Sequence, residues 1–288
     1  MTHLRDRVPD LLKRPVRAVR HQYRMLTASG RVLPSVILAG VQKGGTTSLY
    51  HQLRAHPKVL WVPSKGTHYF DLHYSRGPTW YRSRCPHQRS VQRNEARSSG
   101  KALVAESCGY YFDHPLAPVH CAETLPGCRV IIMLRNPVER TYSHYHDITR
   151  KGLESLPFEE AIDRESSRLA GEIDKIVSDP NYYSSAHRHH SYLARSTYID
   201  HVQRWFEAMG RENVVVLNSE HYYRDMAREY ARVLEFLNLP EWRPAEFEKR
   251  NVGGYSKISQ GTRAKLEDYF GPHNKRLYDY LGVDFGWD

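Results

Sequence analysis

Long apolar stretches and paired cysteines are both missing from this 288-residue sequence. No run of about 18 apolar residues occurs, so we expect no transmembrane helix. The four cysteines form no CxxC pair, which argues against a disulfide framework and against a zinc site of the usual spacing. They are Cys85, Cys108, Cys121 and Cys128. Unpaired thiols, together with the lack of a signal-peptide core, favour a cytoplasmic protein.

Acidic residues are in the minority, with 32 Asp and Glu against 42 Lys and Arg, a formal net charge of +10. This excess suits an anionic partner such as a nucleotide, a glycan or a membrane surface. A solvated basic surface explains it more simply, so the charge selects no function. Residues 1–30 are basic and are interrupted by two prolines. We predict a frayed basic arm there rather than a membrane-bound helix. One domain is expected over residues 31–288.

Short apolar runs alternate with helical patterns along the chain. We predict strands over residues 35–40, 101–105, 130–134 and 213–217. Helices are predicted over residues 46–55, 137–148, 156–176, 197–209, 226–238 and 262–281. This order predicts an α/β fold with a mainly parallel central sheet flanked by helices. Ligands of such folds bind at the carboxyl ends of the strands.

The loop after the first strand has the features of a phosphate-binding loop. Gly44 and Gly45 let backbone N–H groups close around an anion, and the following helix N-terminus adds unpaired donors. Its side-chain donors are Lys43, Thr46, Thr47 and Ser48. A Walker A loop, G-x-x-x-x-G-K-S/T, requires lysine at the position of Thr46, which argues against an ordinary ATPase or kinase.

A second candidate anion site follows the predicted strand over residues 130–134. Arg135 stands at the carboxyl end of that strand, where a guanidinium can hold a phosphate with two parallel hydrogen bonds. Ser143 lies about two turns along the next helix, so its hydroxyl can approach the same ligand. The two residues by themselves favour surface salt bridging over an anion site.

Both segments resemble motifs of the sulfotransferases that use 3′-phosphoadenosine 5′-phosphosulfate (PAPS), nearest to the heparan sulfate sulfotransferases and their bacterial relatives. VQKGGTTSLYHQLRAHPKV is similar to the family's 5′-phosphosulfate loop, and LRNPVERTYSHY to its 3′-phosphate motif. The resemblance implies that Arg135 and Ser143 hold the 3′-phosphate, and that Glu139 and Arg140 are structural. The residues implied to hold the 5′-phosphosulfate are Lys43, Gly44, Gly45, Thr46 and Thr47.

The resemblance extends from about residue 33 to residue 287. It implies a P-loop-like sulfotransferase fold, PAPS as the donor, 3′-phosphoadenosine 5′-phosphate (PAP) as the product, and no metal. Residues 251–257 stand where relatives close a loop over the nucleotide, which implies contacts from Gly254 and Tyr255. We expect a bacterial enzyme whose acceptor is a small molecule, a lipid or a carbohydrate, with no nucleic acid as a partner.

Sulfuryl transfer needs an aligned acceptor, charge stabilisation on the leaving phosphate, and a base for the acceptor's proton. Lys43 is the natural group to neutralise charge on the leaving oxygen. PSKGTHYFD resembles the family segment that carries a catalytic glutamate, but Gly66 stands at the glutamate position, while His68 and Asp71 match.

Three interpretations of the base stay open. His68 is the base, oriented by Asp71; or Glu106 enters the cleft and serves instead; or the chain is a weak or inactive member. The structural alternatives are a hydrogen-bonded histidine packed under the loop and an ion pair between Glu106 and a cation such as Lys65. Cys108 as a nucleophile is disfavoured, because no suitable histidine or asparagine context is evident.

Two other functions remain as alternatives: a P-loop phosphotransferase, and a non-catalytic protein that binds a nucleotide or an anionic glycan. The second gains weight from Gly66. The substrate-binding lysine and Thr-Pro pair of a related family stretch are replaced here by Ser107, Cys108 and Gly109, which weakens the case for a sulfated-glycan acceptor. We interpret residues 187–190, which hold three histidines, as a solvated or substrate-facing loop rather than a metal site.

Overall fold

A five-stranded sheet forms the centre of the computed structural model, which describes residues 10–64, 66–248, 254 and 256–287, with only the backbone of residues 10–17. All neighbouring strands pair in parallel, in the order β2-β3-β1-β4-β5. The strands are β1 (Val36–Gly40), β2 (Val59–Trp61), β3 (Leu103–Ser107), β4 (Arg129–Leu134) and β5 (Val214–Asn218). The prediction of a parallel α/β fold is confirmed.

Helices cover both faces of this sheet. Those before β4 are α1 (Asp10–Leu26), α2 (Thr46–Ala55), α3 (Tyr69–Leu72), α4 (Gly77–Arg84), α5 (Gln88–Ser98) and α6 (Ala117–Thr124). Those between β4 and β5 are α7 (Pro137–Arg150), α8 (Phe158–Asp163), α9 (Glu165–Leu169), α10 (Glu172–Ser178), α11 (Ser185–His189) and α12 (Tyr198–Met209). The last are α13 (Ser219–Arg224), α14 (Met226–Phe236) and α15 (Gln260–Leu281).

The strands are apolar throughout because both of their faces are buried. Successive side chains of a strand point to opposite faces. Ile37 and Ile132 therefore belong to the same core cluster as Trp205 of α12. Leu38 and Ile131, each one position away, belong to the opposite cluster with Leu53 of α2. Continuous apolar runs of this kind are typical of parallel sheets covered on both sides.

The topology brings two loops together at one edge of the sheet. β1 and β4 are neighbours, with Ile37 opposite Val130 and Leu38 opposite Ile131. Because paired parallel strands end on the same side, the loop after β1 and the start of α7 after β4 lie next to each other. These are the two segments in which the sequence predicts anion sites.

Some elements differ from the sequence-based predictions. The short strand β2 was not predicted, and β3 begins and ends two residues later than expected. The expected helix over residues 156–176 is divided into α8, α9 and α10. Gly171, with φ 70°, starts α10 after a break that a continuous helix does not permit.

The N-terminal segment, for which the sequence predicts a frayed basic arm, is a helix over Asp10–Leu26. Met25 packs against the main core cluster. Arg31, just after the helix, donates to the Cys85 carbonyl at 2.8 Å and to the Thr27 hydroxyl at 3.2 Å. The end of α1 therefore packs on the fold through Met25, while residues 18–23 of the helix are exposed. Among the described helices, none has the length and apolar character needed to cross a bilayer.

Candidate active site

The loop between β1 and α2 is held against the end of β4 by its own backbone. The Val41 N–H donates to the Met133 carbonyl at 3.0 Å, and the Gly44 N–H donates to the Val41 carbonyl at 3.0 Å. A Cβ atom at Gly44 would lie 2.4 Å from the Met133 oxygen, so no larger residue fits this position without a shift. Gly44 is therefore required by the close approach of two strand ends.

Gly45 precedes α2 with φ 92°, a left-handed conformation that favours glycine. The Tyr223 hydroxyl from α13 donates to the Gly45 carbonyl at 3.3 Å and lies 3.0 Å from the Ser48 Oγ. α13 thus holds the start of α2, whose first N–H groups have no preceding helical carbonyl to bind. Thr46 and Thr47 lie in this first turn and are half-buried. The arrangement presents backbone and hydroxyl donors to an anion.

Lys43 supplies the positive charge of this loop. Its Nζ lies 3.6 Å from Asp147 Oδ1 of α7, and its side chain is 25% exposed. Burial lowers the pKa of the Lys43 ammonium, and Asp147 opposes that shift only in part. Burial alone would raise the pKa of Asp147, but Lys151, Lys43 and Arg150 outweigh it and lower the pKa. The contact with Asp147 tethers Lys43 to α7.

Arg135 lies beside the same loop. Its Nη1 donates to the Lys43 carbonyl at 3.4 Å, and its Nη2 lies 3.6 Å from Glu139 Oε2. The Asn136 side chain accepts from the N–H groups of residues 138 and 139 and so caps α7. The Arg135 carbonyl accepts from the Tyr198 hydroxyl at 2.8 Å. The guanidinium is thus fixed at the mouth of the loop, with a side chain 29% exposed.

The remaining residues singled out in the sequence lie in different surroundings. Ser143 lies two turns along α7 and is 4% exposed. Gly254 is exposed, and Tyr255 lies outside the described residues. Glu139 is paired with Arg263 of α15. Arg140 is fully buried and donates to the Tyr192 carbonyl, which fits the structural role expected for it.

His68 lies at the start of α3, next to two buried groups. Its Nδ1 is 2.8 Å from Asp71 Oδ2 and 3.4 Å from the Cys108 Sγ. The His68 side chain is 30% exposed and that of Asp71 is fully buried. Burial, with Asp71 adding to it, raises the pKa of the Cys108 thiol well above its usual range, so Cys108 is not an activated nucleophile. His68 and Asp71 form the hydrogen-bonded pair that the sequence predicts.

Glu106 does not enter the cleft. The residue is 1% exposed, and one carboxylate oxygen accepts from the Thr67 N–H at 2.8 Å and the Tyr111 hydroxyl at 2.9 Å. The other oxygen accepts from the Tyr81 hydroxyl at 2.6 Å. Burial raises the pKa of Glu106, with these hydrogen bonds opposing it. Glu106 fixes the segment before His68, which is a structural role and a correction to its expected place in the cleft.

Sequence reasoning missed a buried network behind the phosphate loop. Arg195 is 1% exposed and donates to Gln42 Oε1 at 2.6 Å and to Asp113 Oδ2 at 2.9 Å. It also donates to the carbonyls of His187 and Arg188 at 3.0 Å. No spacing pattern links residues this far apart in the sequence.

The contact between Asp147 and Lys43 was also missed. Its place on the cleft side of α7 could have been predicted, since Asp147 stands four residues after Ser143 on the same helix.

The histidine run is not a solvated loop as a whole. His187 is 6% exposed, and its Nδ1 lies 2.8 Å from the Tyr110 hydroxyl. Burial lowers its pKa to about 3, which keeps the ring neutral. The expectation for residues 187–190 is therefore wrong at its first position.

Comparison with known proteins agrees with this arrangement. Heparan sulfate glucosamine 3-O-sulfotransferase 3B1 of Mus musculus is 27% identical over 285 residues, covering 91% of this chain and 66% of its own length. Heparan sulfate glucosamine 3-O-sulfotransferase 6 of Homo sapiens is 26% identical, covering 89% of this chain and 74% of its own. The chain thus spans about two thirds of the length of the first relative and about three quarters of the second.

A solved sulfotransferase from Alicyclobacillus acidocaldarius has the same fold, with a TM-score of 0.65 at 24% identity, over 89% of this chain and 99% of its own. The sulfotransferase domain family matches residues 33–252, which include the phosphate loop, the His68 segment and the start of α7. The two loops at the ends of β1 and β4 and this match lead to one conclusion: the chain belongs to the sulfotransferase domain family.

Proposed function

We propose that this protein is a sulfotransferase that transfers a sulfuryl group from PAPS to a hydroxyl or amine. The observation that carries the proposal is the 3.4 Å contact between Arg135 Nη1 and the Lys43 carbonyl. It puts a guanidinium beside a glycine loop that lacks the Walker A lysine. A doubly phosphorylated nucleotide needs two adjacent anion sites of this kind. Family membership argues against the phosphotransferase alternative.

The residues of the first loop fit the 5′-phosphosulfate. The loop's glycines leave room that a Cβ at Gly44 would occupy, and the N-terminal end of α2 carries a partial positive charge that favours an anion. In the proposal Lys43, Gly44, Gly45, Thr46 and Thr47 hold this group. Arg135 and Ser143 hold the 3′-phosphate, and Gly254 and Tyr255 contact the nucleotide. PAPS supplies the sulfuryl group, and PAP is the product.

Lys43 would change partners when the donor binds. In the structure its ammonium lies 3.6 Å from Asp147, a carboxylate that also binds Arg150 at 2.7 Å and Lys151 at 2.5 Å. Because Asp147 keeps those two cations, Lys43 can turn to the bridging oxygen without leaving Asp147 unpaired. There it neutralises the charge that grows as the S–O bond breaks.

His68 is the proposed base. With Nδ1–H donating to Asp71 Oδ2, the lone pair of the ring lies on Nε2. A Cβ atom at Gly66 would lie 3.5 Å from that Nε2, so the glycine leaves free space directly beside the atom that accepts the proton. The position where relatives carry the catalytic glutamate, Gly66, is thus next to the imidazole that is proposed to replace it. Asp71 is a positioning residue that stabilises the imidazolium.

The acceptor is proposed to be a carbohydrate or another small molecule that carries negative charge. A groove of about 480 Å³ is lined by four basic side chains, Arg20, His21, Arg24 and Arg84, together with Pro63 and Ser64. Burial and the neighbouring cations Arg20, Arg31 and Arg84 all lower the pKa of Arg24, so several cations cluster around this side chain. Ser64 is four residues before His68, so at most about 14 Å of extended chain separates the groove from the proposed base.

The relatives support this class of acceptor, since two of them are named for action on the glucosamine of heparan sulfate, an anionic carbohydrate. The proposal places the enzyme in the cytoplasm of a bacterium. The support for that compartment is the state of the four cysteines, all of which are buried free thiols.

Ligand-dependent thermal stability tests the donor. PAP without metal should raise the midpoint of unfolding more than ATP with Mg²⁺ does. Transfer of label from ³⁵S-labelled PAPS to an N-sulfated heparan oligosaccharide tests the reaction, with oligosaccharide alone as the control. PAP binding with no transfer to any hydroxylated acceptor would favour the non-catalytic alternative. A preference for ATP and Mg²⁺ would favour the phosphotransferase.

A further inference from the structure

Three potential metal ligands converge beside the proposed base. They are His68 Nδ1, Asp71 Oδ2 and Cys108 Sγ, which all lie within 4.8 Å of one another. The N–O distance is 2.8 Å, the N–S distance is 3.4 Å and the S–O distance is 3.6 Å. The ligands come from two separate segments, the start of α3 and the loop after β3. The sequence gives no sign of the cluster, because the spacing of its members matches no metal motif.

The buried carboxylate in this cluster is not satisfied by the protein. The Asp71 side chain is fully buried, and its Oδ1 has no hydrogen-bond partner among the described residues. Cys108 is 4% exposed and offers only a weak thiol donor. A buried carboxylate with so few partners is costly unless a cation lies near it. His68, at 30% exposure, leaves a way in from solvent.

The spacing suits a tetrahedral ion. With Zn–S of about 2.3 Å and Zn–N or Zn–O of about 2.0–2.1 Å, tetrahedral geometry separates neighbouring ligand atoms by about 3.3–3.6 Å. The N–S and S–O distances already have these values, and the N–O pair needs to open by about 0.5 Å. A set of imidazole, thiol and one carboxylate selects zinc or another thiophilic metal over magnesium and calcium. Three protein ligands leave the fourth position open.

We propose that His68, Asp71 and Cys108 form an inhibitory binding site for Zn²⁺. The metal takes the lone pair of Nδ1, and the proton of that nitrogen moves to Nε2. The Cys108 thiol loses its proton to solvent, so that one proton leaves for each zinc bound and nothing is oxidised or reduced. With Nε2 protonated and Asp71 turned to the metal, the imidazole has no lone pair for the acceptor's proton. Zinc therefore switches off the base. This consequence rests on the proposed function, whereas the binding itself does not.

Metal binding is tested first, without any assay of activity. Untagged protein is titrated with Co²⁺, whose thiolate complex absorbs in the near ultraviolet, and then with Zn²⁺ against a chromophoric chelator. We expect one metal ion per chain, a thiolate band, and affinity at least about tenfold weaker in Cys108→Ala. Cys128→Ala, which removes another buried free thiol, is the matched control and should keep the band. An unchanged band in Cys108→Ala, or no binding by the wild type, would overturn the site.

A second variant distinguishes the loss of a metal ligand from misfolding. Asp71→Asn keeps the shape of the side chain but weakens a metal ligand, and circular dichroism shows whether each variant is folded. It should also bind Zn²⁺ at least about tenfold more weakly. Retained affinity in a folded Asp71→Asn would exclude the carboxylate as a ligand and contradict the proposal.

The inhibitory effect is measured as a ratio within each variant. Zn²⁺ should lower wild-type sulfuryl transfer at least about tenfold, since general-base catalysis is worth about 10²–10⁴-fold. It should lower the rate of Cys108→Ala less than about twofold relative to that variant's own zinc-free rate. If the wild type binds Co²⁺ through Cys108 but transfers no sulfuryl group, the metal site is supported and the proposed function is contradicted. If it transfers a sulfuryl group but binds no metal, the proposed function is supported and the metal site is contradicted.

Discussion

At the scale of single residues, the proposed base is distinguished by where its free nitrogen lies. His68 is partly exposed and hydrogen-bonded to Asp71, whereas Glu106 is enclosed by Thr67, Tyr81 and Tyr111. Both residues were candidates from the sequence. Their burial distinguishes them, because the partly exposed His68 can contact an acceptor and the enclosed Glu106 cannot.

His68→Ala should lower kcat by about 10²–10⁴-fold, while PAP binding stays within about twofold, because a general base acts in the transition state and not on the nucleotide. Glu106→Gln is the matched comparison. It should change kcat less than about threefold but reduce the free energy of unfolding by about 1–3 kcal/mol, because an amide cannot accept every hydrogen bond of the carboxylate. The reverse pattern would assign the base to Glu106.

Lys43→Ala and Arg135→Ala should each weaken PAP binding by roughly 10–100-fold, the range expected for losing a charged hydrogen bond. Isothermal titration calorimetry measures the change. Arg164→Ala is the control, since this arginine is 60% exposed and is paired with Glu160 rather than with a residue of the anion sites. Wild-type affinity in both site variants would remove the assignment of the two anion sites.

At the scale of elements, the phosphate loop depends on how closely β1 and β4 approach. Gly44→Ala would put a Cβ atom 2.4 Å from the Met133 carbonyl. We expect a loss of about 1–3 kcal/mol in the free energy of unfolding, the range for overpacking, together with weaker PAP binding.

Gly261→Ala is the control for this substitution, since nothing lies within 4 Å of a Cβ at that position in the first turn of α15. It should leave both quantities unchanged or raise stability slightly. Chemical denaturation with and without PAP measures them. Equal behaviour of the two alanine variants would show that the loop tolerates a side chain.

The groove between α1 and the segment before Gly66 should bind anionic carbohydrate. Arg24→Ala should elute from immobilised heparin at lower salt than the wild type, because it removes one of several clustered cations. Arg164→Ala removes the same charge from an arginine that is 60% exposed and paired with Glu160, and should elute near the wild type. Equal shifts in both variants would indicate a general charge effect and no specific groove.

At the scale of the whole molecule, several buried histidines make stability depend on pH. His114, His144 and His187 are each at most 6% exposed. Burial lowers the pKa of His114 to about 4 and of His187 to about 3, and places that of His144 well below its usual value. These rings stay neutral in the folded protein at pH values where they are protonated in the unfolded chain.

The free energy of unfolding should therefore fall as the pH falls from about 6.5 to about 4. Each such histidine has a depressed folded pKa, so its contribution is complete above the unfolded value of about 6.5 and is lost below it, at about 1.4 kcal/mol per pH unit. Urea denaturation at several pH values measures the slope. His114→Gln should reduce the slope and the exposed His21→Gln should not. A flat profile between pH 7 and pH 5 would contradict this account.

The parallel sheet and both anion loops could be predicted from the sequence, because apolar runs, glycines and helix starts act over a few neighbouring residues. α2 lies exactly where Thr46 to Ala55 predicted it, and α7 begins at the expected Pro137. The short strand β2 escaped prediction because three residues carry little periodicity, and α1 because its proline-interrupted pattern is stabilised by contacts with the rest of the fold.

Which groups meet across the fold depends on how the elements pack, and no local pattern in the sequence reveals it. It enclosed Glu106, placed Cys108 against His68, and joined Lys43 to Asp147 and Gln42 to Arg195. Such contacts join residues tens to more than a hundred positions apart, and they depend on strand order and on the direction each side chain leaves its element. Local propensity specifies strands, helices and the loops between them, but it does not specify contacts between distant residues. The two anion loops could therefore be predicted from the sequence, whereas the surroundings of His68 could not.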